Sequence, residues 1–371
     1  MDELKFIEPP AKVGFYTYVG DRQSCGNIRV VIPSILMNSL RVEGYNFESD
    51  YSATFIADPK FYRSYTSVSF QRAATKKHLE LIKYYKSNIR KIIKVPVVFE
   101  IDDLLYDIPQ YNYASTYYQN VSESTKEIMR IVDGITVSTE TLKRIYSEFN
   151  ERIVIIPNHL PKFLWGDIIP KHENNPREKR PRILYAGSEN HFINKGSVEY
   201  KKGIRGGDFG DILIDYIRKT VDKYEWVFSG AYPLELEDLI NKGKIERHGW
   251  KHIWQYPKHV KALDVDIWIA PLMKCIFNDS KSNIKGLEAS ATGCPGIYSN
   301  ADPYEKFMLT CESEYDIIAN IEKLADSIDF RKEVFDHDYS VVKDQLFWED
   351  NSNILKYINS HLSLFKRVLK T

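Results

Sequence analysis

The stretch VDIWIAPLMKCIFNDSKSNIKGLEASATGCPGIYSN, residues 265–300, decides the fold. It opens on an almost wholly apolar run of strand length, VDIWIAPL, and closes on a second, CPGIYSN. Between them the pattern predicts a short helix, with Gly293 as its natural stop and Pro295 just beyond. Asp279, Ser280 and Ser282 are candidate N-caps. A strand that is apolar throughout is covered on both faces, and strand–helix–strand is the unit of a parallel sheet. Lys281 and Lys285 fall in the first turns of the helix, where the macrodipole disfavours cations and welcomes anions. Either they point into water or something negative sits at this helix end. Lys281, Lys285 and Glu288 share one helix face, while Ile284, Leu287 and Ala291 share the face that would pack on the sheet. Free N–H groups beside lysines make a phosphate cradle, and Glu288 is placed to accept hydrogen bonds from vicinal sugar hydroxyls. The alternative is a solvated face with a Lys285–Glu288 ion pair of little worth.

The same alternation runs along most of the chain. KVGFYTYVG (12–20) reads as a strand into a glycine loop, followed by a helix from about 27 to 40. TSVSFQR (66–72) reads as a strand and 75–88 as a helix. VPVVFEIDD (95–103) is an apolar strand ending in acids. GITVSTETLKRIYSEF (134–149) and RIVIIPNHL (152–160) continue the pattern. The stretch 161–182, with four prolines and many charges, breaks it and reads as a linker. RILYAGS (182–188) restarts it. The expectation is an α/β protein of two doubly wound parallel-sheet, Rossmann-like domains facing a cleft: 1–165, a linker 166–182, and 183–345. A terminal helix within 346–371 carries apolar residues at helical spacing (Ile354, Leu355, Ile358, Leu362, Phe365, Leu369).

Bulk numbers exclude several classes. Lys+Arg and Asp+Glu both number 51 in 371 residues, so the chain is not globally basic. The four cysteines are scattered with no C-x-x-C pair, which suggests neither a zinc site nor a disulfide framework. No signal pattern and no long apolar run appear, so a soluble, cytoplasmic protein without membrane insertion is expected.

The segment from Ile269 to Asn300 resembles the nucleotide-sugar motif of family-4-like retaining glycosyltransferases of the GT-B fold, in the variant N-x-x-K-S-x-x-K-x-L-E followed by a small-residue run to G-x-P. The resemblance implies that Lys281, Lys285 and the groups at Ser282 and Asn283 hold the donor diphosphate, and that Glu288 holds the ribose. The better-known form carries an earlier glutamate where this chain has Ser280. SVSFQRAATKKHLELIKYYK with VPVVFEIDDLLYDIP resembles a first-domain signature, placing Asp102 and Asp103 at the cleft as catalytic acids. AGSENHFINK resembles the AGS-x-x-H loop, implying Gly187, Ser188 and His191 near the donor. IERHGW, with Arg247, fits the loop bordering the base. GDRQSCGNIR resembles the opening glycine loop, with Gly26 allowing close approach to the donor. Its Arg29 reads as an anion contact on the acceptor side or as a plain surface residue. What the resemblance implies is transfer from a UDP-sugar, a donor substrate rather than a cofactor, with no metal required.

For the acceptor, the basic stretch KKHLELIKYYKSNIRKIIK (76–94) holds seven Lys/Arg against one Glu. NKGSVEYKKGIRGGD (194–208) is a glycine-and-lysine insertion. The aromatic run 111–120, with Tyr106 just before it and Tyr113 within it, follows the acid pair. Basic faces and aromatics near a cleft suit a polynucleotide with a flipped base, and GDRQSCGNIR and FEIDD resemble the glycine loop and acid-bearing strand of phage enzymes that add sugar to hydroxymethylcytosine in DNA. An envelope glycan or lipid-linked acceptor, and a non-catalytic nucleotide-sugar or glycan-binding protein, are the other readings.

Overall fold

The computed structural model describes residues 11–21, 24–112, 114–171, 180–193, 195–203 and 206–365. Two six-stranded sheets carry it, each parallel throughout. The first is built from β1 (Ala11–Val19), β2 (Tyr45–Ser52), β3 (Ser67–Gln71), β4 (Val97–Glu100), β5 (Gly134–Val137) and β6 (Ile153–Ile155), in the order β2-β1-β3-β4-β5-β6. The second is built from β7 (Arg182–Gly187), β8 (Glu225–Gly230), β9 (Glu246–His248), β10 (Ile267–Ala270), β11 (Gly296–Ser299) and β12 (Thr310–Cys311), in the order β12-β11-β10-β7-β8-β9.

The central strands are buried from end to end, as their unbroken apolar runs require: β3, β4, β5 and β10 have no exposed residue. β2 was not expected. Its sequence, YNFESDYS, is polar and alternating because it is an edge strand with one half-solvated face. The helix expected over 75–88 continues to Ile93, and is opened by Thr75, whose hydroxyl accepts from the His78 amide. The stretch read as linker contains a short helix, Lys162–Trp165, whose Trp165 is buried.

The helix Asn353–Ser363 lies against β6 and the helix Ile32–Ser39 of the first sheet's layer. Ile354, Ile358 and Leu362 are buried there with Val13, Phe15, Ile32 and Met37. Leu369 lies outside the described residues. The halves also share core: Phe277, from the second half, is buried in the first half's hydrophobic cluster. All four cysteines are free thiols. No helix among the described residues is long and apolar enough to cross a membrane.

Candidate active site

In each sheet the chain winds outward in both directions from one adjacent strand pair, β1/β3 in the first and β7/β10 in the second. Loops leaving the carboxyl ends of such a pair diverge and leave a crevice for ligand.

At the first crevice Arg72, directly after β3, takes φ +46°, an uncommon backbone conformation for a residue with a side chain. Its guanidinium donates to Asp102 through Nε at 2.7 Å and to Asp103 through Nη2 at 3.0 Å, and its Nη1 lies 3.8 Å from Asp21 in the loop after β1. One cation therefore serves three carboxylates. Burial alone would push Asp102 up, but Arg72 and then Arg29 bring it below the usual carboxylate range. Asp103 goes the other way: burial and the neighbouring Asp102 hold it above, against the pull of Arg72 and of Lys281 from the second half. Asp103 is also the more open of the two, its side chain 27% exposed against 8%.

At the second crevice the loop after β7 carries the turn Glu189–His191, and the loop after β10 carries the helix Ile276–Asp279 and Lys281. Asp208 sits between them with a fully buried side chain. Its Oδ1 accepts from the Tyr111 hydroxyl at 2.6 Å, from Asn278 Nδ2 at 2.9 Å and from the Met273 amide at 3.0 Å. Its Oδ2 lies 2.5 Å from His191 Nδ1 and 4.0 Å from Lys281 Nζ. Burial would raise this carboxyl, but Lys281, His191 and Tyr111 hold it well below the ordinary range. Burial, with Lys281 and Lys285, pushes His191 down to about 3, so the imidazole is neutral. Lys281 lies 4.8 Å from the Phe277 ring centroid and 3.4 Å from His191 Nδ1.

The helix after Lys281 runs Ile284–Thr292 and ends at Gly293, in the left-handed conformation at φ +78°. None of the candidate caps serves it: Asn283 takes the N-cap position without a side-chain capping bond, and Lys281 lies in the loop before the helix. The solvated-face reading is overturned. Lys285 is buried, its Nζ 4.5 Å from the Tyr185 ring centroid, and no ion pair among the described residues joins it to Glu288. Burial and then Lys281 push Lys285 down to about 7. Burial pushes Glu288 up to about 7, against the Tyr256 hydroxyl that donates to it at 3.1 Å.

The remaining expected residues scatter. Ser282 accepts from Asn158 at 2.7 Å, a bond between the halves, while Asn283 exchanges hydrogen bonds with Gln345. Gly187 ends β7, and Ser188 after it is exposed. Arg247 is exposed over the Tyr232 ring. Gly26 is buried, and a Cβ there would meet the Asp21 carbonyl at 1.9 Å, so the close approach it allows is to the chain's own backbone. Arg29 is neither surface residue nor free anion contact: it is buried, bonded to Glu100 at 2.7 Å, the Ile156 carbonyl at 2.6 Å and Asn158 at 2.9 Å. Tyr106 packs on Tyr146 and Phe149. Tyr113 lies outside the described residues.

Sequence reasoning missed two residues. Arg72 carried a signal, being the only charge in SVSFQRAAT beside an expected strand end. Asp208 carried none, because it closes an insertion read for its glycines and lysines as a clue to the acceptor. No set of three or more His, Cys, Asp or Glu among the described residues could hold a metal ion.

No family model matches the chain, and no curated protein does. Among solved structures, a glycosyltransferase from Rickettsia africae ESF-5 superposes on 97% of this chain and 100% of its own, with TM-score 0.59 and 12% sequence identity. At that identity the likeness shows the fold, two Rossmann-like halves of the GT-B type. A D-2-hydroxyisocaproate dehydrogenase matches over 84% of this chain and 76% of its own at 9% identity, but its TM-score of 0.20 carries no argument.

Proposed function

We propose that the protein is a retaining glycosyltransferase that moves a sugar from a UDP-sugar to an acceptor hydroxyl, with 5-hydroxymethylcytosine in duplex DNA as the acceptor. The observation that carries the reading is the junction at Asp208, where Lys281, ahead of a helix N-terminus, lies 4.0 Å from a carboxylate that the Tyr111 hydroxyl of the other half bonds at 2.6 Å. Cation and helix amides on one side stabilise negative charge developing on a leaving diphosphate. A carboxylate on the other side orients the acceptor hydroxyl or takes its proton. Buried Lys285 reinforces the first role, and Glu288 accepts from the ribose hydroxyls. Retention follows from the family resemblance. The glycosyltransferase from Rickettsia africae agrees with the general activity.

The DNA acceptor is supported by the helix spanning 76 to 93. It starts beside Arg72 and runs roughly 27 Å at about 1.5 Å per residue. Lys76, Lys77, Lys91 and Lys94 are exposed along it. At its far end Lys86, Arg90, Lys91 and Lys94 line a pocket of about 370 Å³. Such a rail suits a phosphodiester backbone. The test is a mass shift: duplex DNA containing 5-hydroxymethylcytosine is incubated with protein and UDP-sugars, digested and weighed. A gain of one pentose or hexose per modified base is expected. Donor hydrolysis without that gain moves the acceptor to a glycan, and nucleotide binding without turnover makes the protein a binding module.

A further inference from the structure

The Asp208 side chain is fully buried, and its bonds come from three separate segments. A buried carboxylate is tolerated only when paired and hydrogen-bonded, and here every close contact to either oxygen is a donor or a cation. Because Asp208 can only accept, the proton on the 2.5 Å contact belongs to His191 Nδ1. The imidazole is neutral, so its Nε2 carries a lone pair. That nitrogen takes no hydrogen bond from the described residues and is not sealed from solvent. A neutral acceptor nitrogen matches a hydroxyl and repels a phosphate oxygen, which offers no proton.

We propose that Asp208 is a positioning residue that holds His191 in the Nδ1–H form, so that Nε2 receives a hydrogen bond from one hydroxyl of the transferred sugar, while Tyr111 ties this arrangement to the first half. This rests on the donor-site reading above. It divides the labour at the crevice: Lys281 meets the diphosphate, and His191 reads the sugar.

Asp208→Asn is the informative change. The asparagine Oδ1 keeps the bonds from Tyr111, Asn278 and the Met273 amide. Its Nδ2 replaces the second oxygen and donates to His191 Nδ1, which forces the proton to Nε2. Nitrogen-15 NMR of the histidine ring in the free protein is expected to show Nδ1–H in the wild type and Nε2–H in Asp208→Asn. Binding is then measured with UDP and with UDP-glucoses carrying fluorine in place of single hydroxyls, since fluorine cannot donate. One fluorinated position is expected to bind the wild type about tenfold more weakly than UDP-glucose, as removal of one hydrogen bond implies. In Asp208→Asn that discrimination vanishes while UDP itself still binds. Wild-type Nε2–H, a wild type indifferent to every fluorine, or discrimination surviving in Asp208→Asn overturns the proposal with UDP binding intact. A wild type that binds no UDP overturns the donor-site reading itself, and the sugar contact falls with it.

Discussion

Arg72 donates its Nε–H to Asp102 at 2.7 Å and its Nη2–H to Asp103 at 3.0 Å, yet the two adjacent acids are held in different states. Asp102 is held ionised below the usual range, whereas Asp103 lies above it and is more open. On the proposed function, carboxyls pushed in opposite directions divide acid and base work between them. Asp103→Asn is expected to lower kcat about 10²-fold, with UDP affinity within about twofold. Asp102→Asn is expected to spare donor binding too and to cut turnover. It also lowers the melting temperature, because breaking a buried ion pair costs about 3 kcal/mol. Calorimetry and steady-state kinetics on both variants check this. Equal losses of UDP affinity and turnover would place the acids in the donor site instead.

Glu288→Ala removes a carboxylate that the ribose reading requires. Hydrogen bonds to a charged group contribute about 1.5–3 kcal/mol, so UDP affinity is expected to fall roughly 10- to 100-fold. Isothermal titration decides, and an unchanged affinity removes Glu288 from the site.

Donor binding is expected to peak near pH 7. Lys285, held down at about 7 by burial, carries its charge only below that value, so affinity for the diphosphate falls as pH rises through it. Glu288, held up at about 7 by burial, is a carboxylate only above that value, so ribose recognition falls as pH drops through it. Lys285→Met should abolish the alkaline limb and Glu288→Gln the acid limb. A flat profile in the wild type contradicts both assignments.

The basic helix makes a separable prediction. Lys91→Glu combined with Lys94→Glu should weaken duplex DNA binding. The slope of log affinity against log salt should also become shallower, by about 0.9 for each phosphate the protein no longer neutralises. UDP affinity should not change. An unaltered slope, read by fluorescence anisotropy, means DNA does not use this face.

Ile358 is fully buried between the first sheet's helices and β6. Ile358→Ala should cost about 2–5 kcal/mol, read as a drop in the denaturant midpoint. A loss under about 1 kcal/mol would mean the terminal helix is docked only loosely.

The strands that sequence reading found are those whose burial on both faces leaves unbroken apolar runs, such as Phe70 and Phe99 in register at the centre of the first sheet. β2 escaped because an edge strand needs no such run. Lys285 and Glu288 were legible as residues of one short helix because their spacing is local, whereas Lys281, expected on that helix, lies in the loop before it. None of the expected caps serves because the helix starts only at Ile284: Ser282 is drawn to Asn158, 124 residues away, and Asn283, which takes the cap position, turns its side chain to Gln345, 62 residues away. Arg29 read as an acceptor-side anion contact or a plain surface residue, since nothing near it in sequence announces Glu100, 71 residues on.

The sequence by itself determined two doubly wound parallel sheets, because periodicity and apolar runs are local consequences of burial. It also placed acids at one strand end and lysines beside one helix start. Only the tertiary structure decided which charges are free to meet a ligand. Arg72 binds both acids, Arg29 is consumed by Glu100, and Asp208 draws His191 and Lys281 to one point while Tyr111 reaches it from the other half. Partner choice among buried charges is set by desolvation, which penalises every unpaired ion, and desolvation depends on neighbours that chain folding brings together from distant positions.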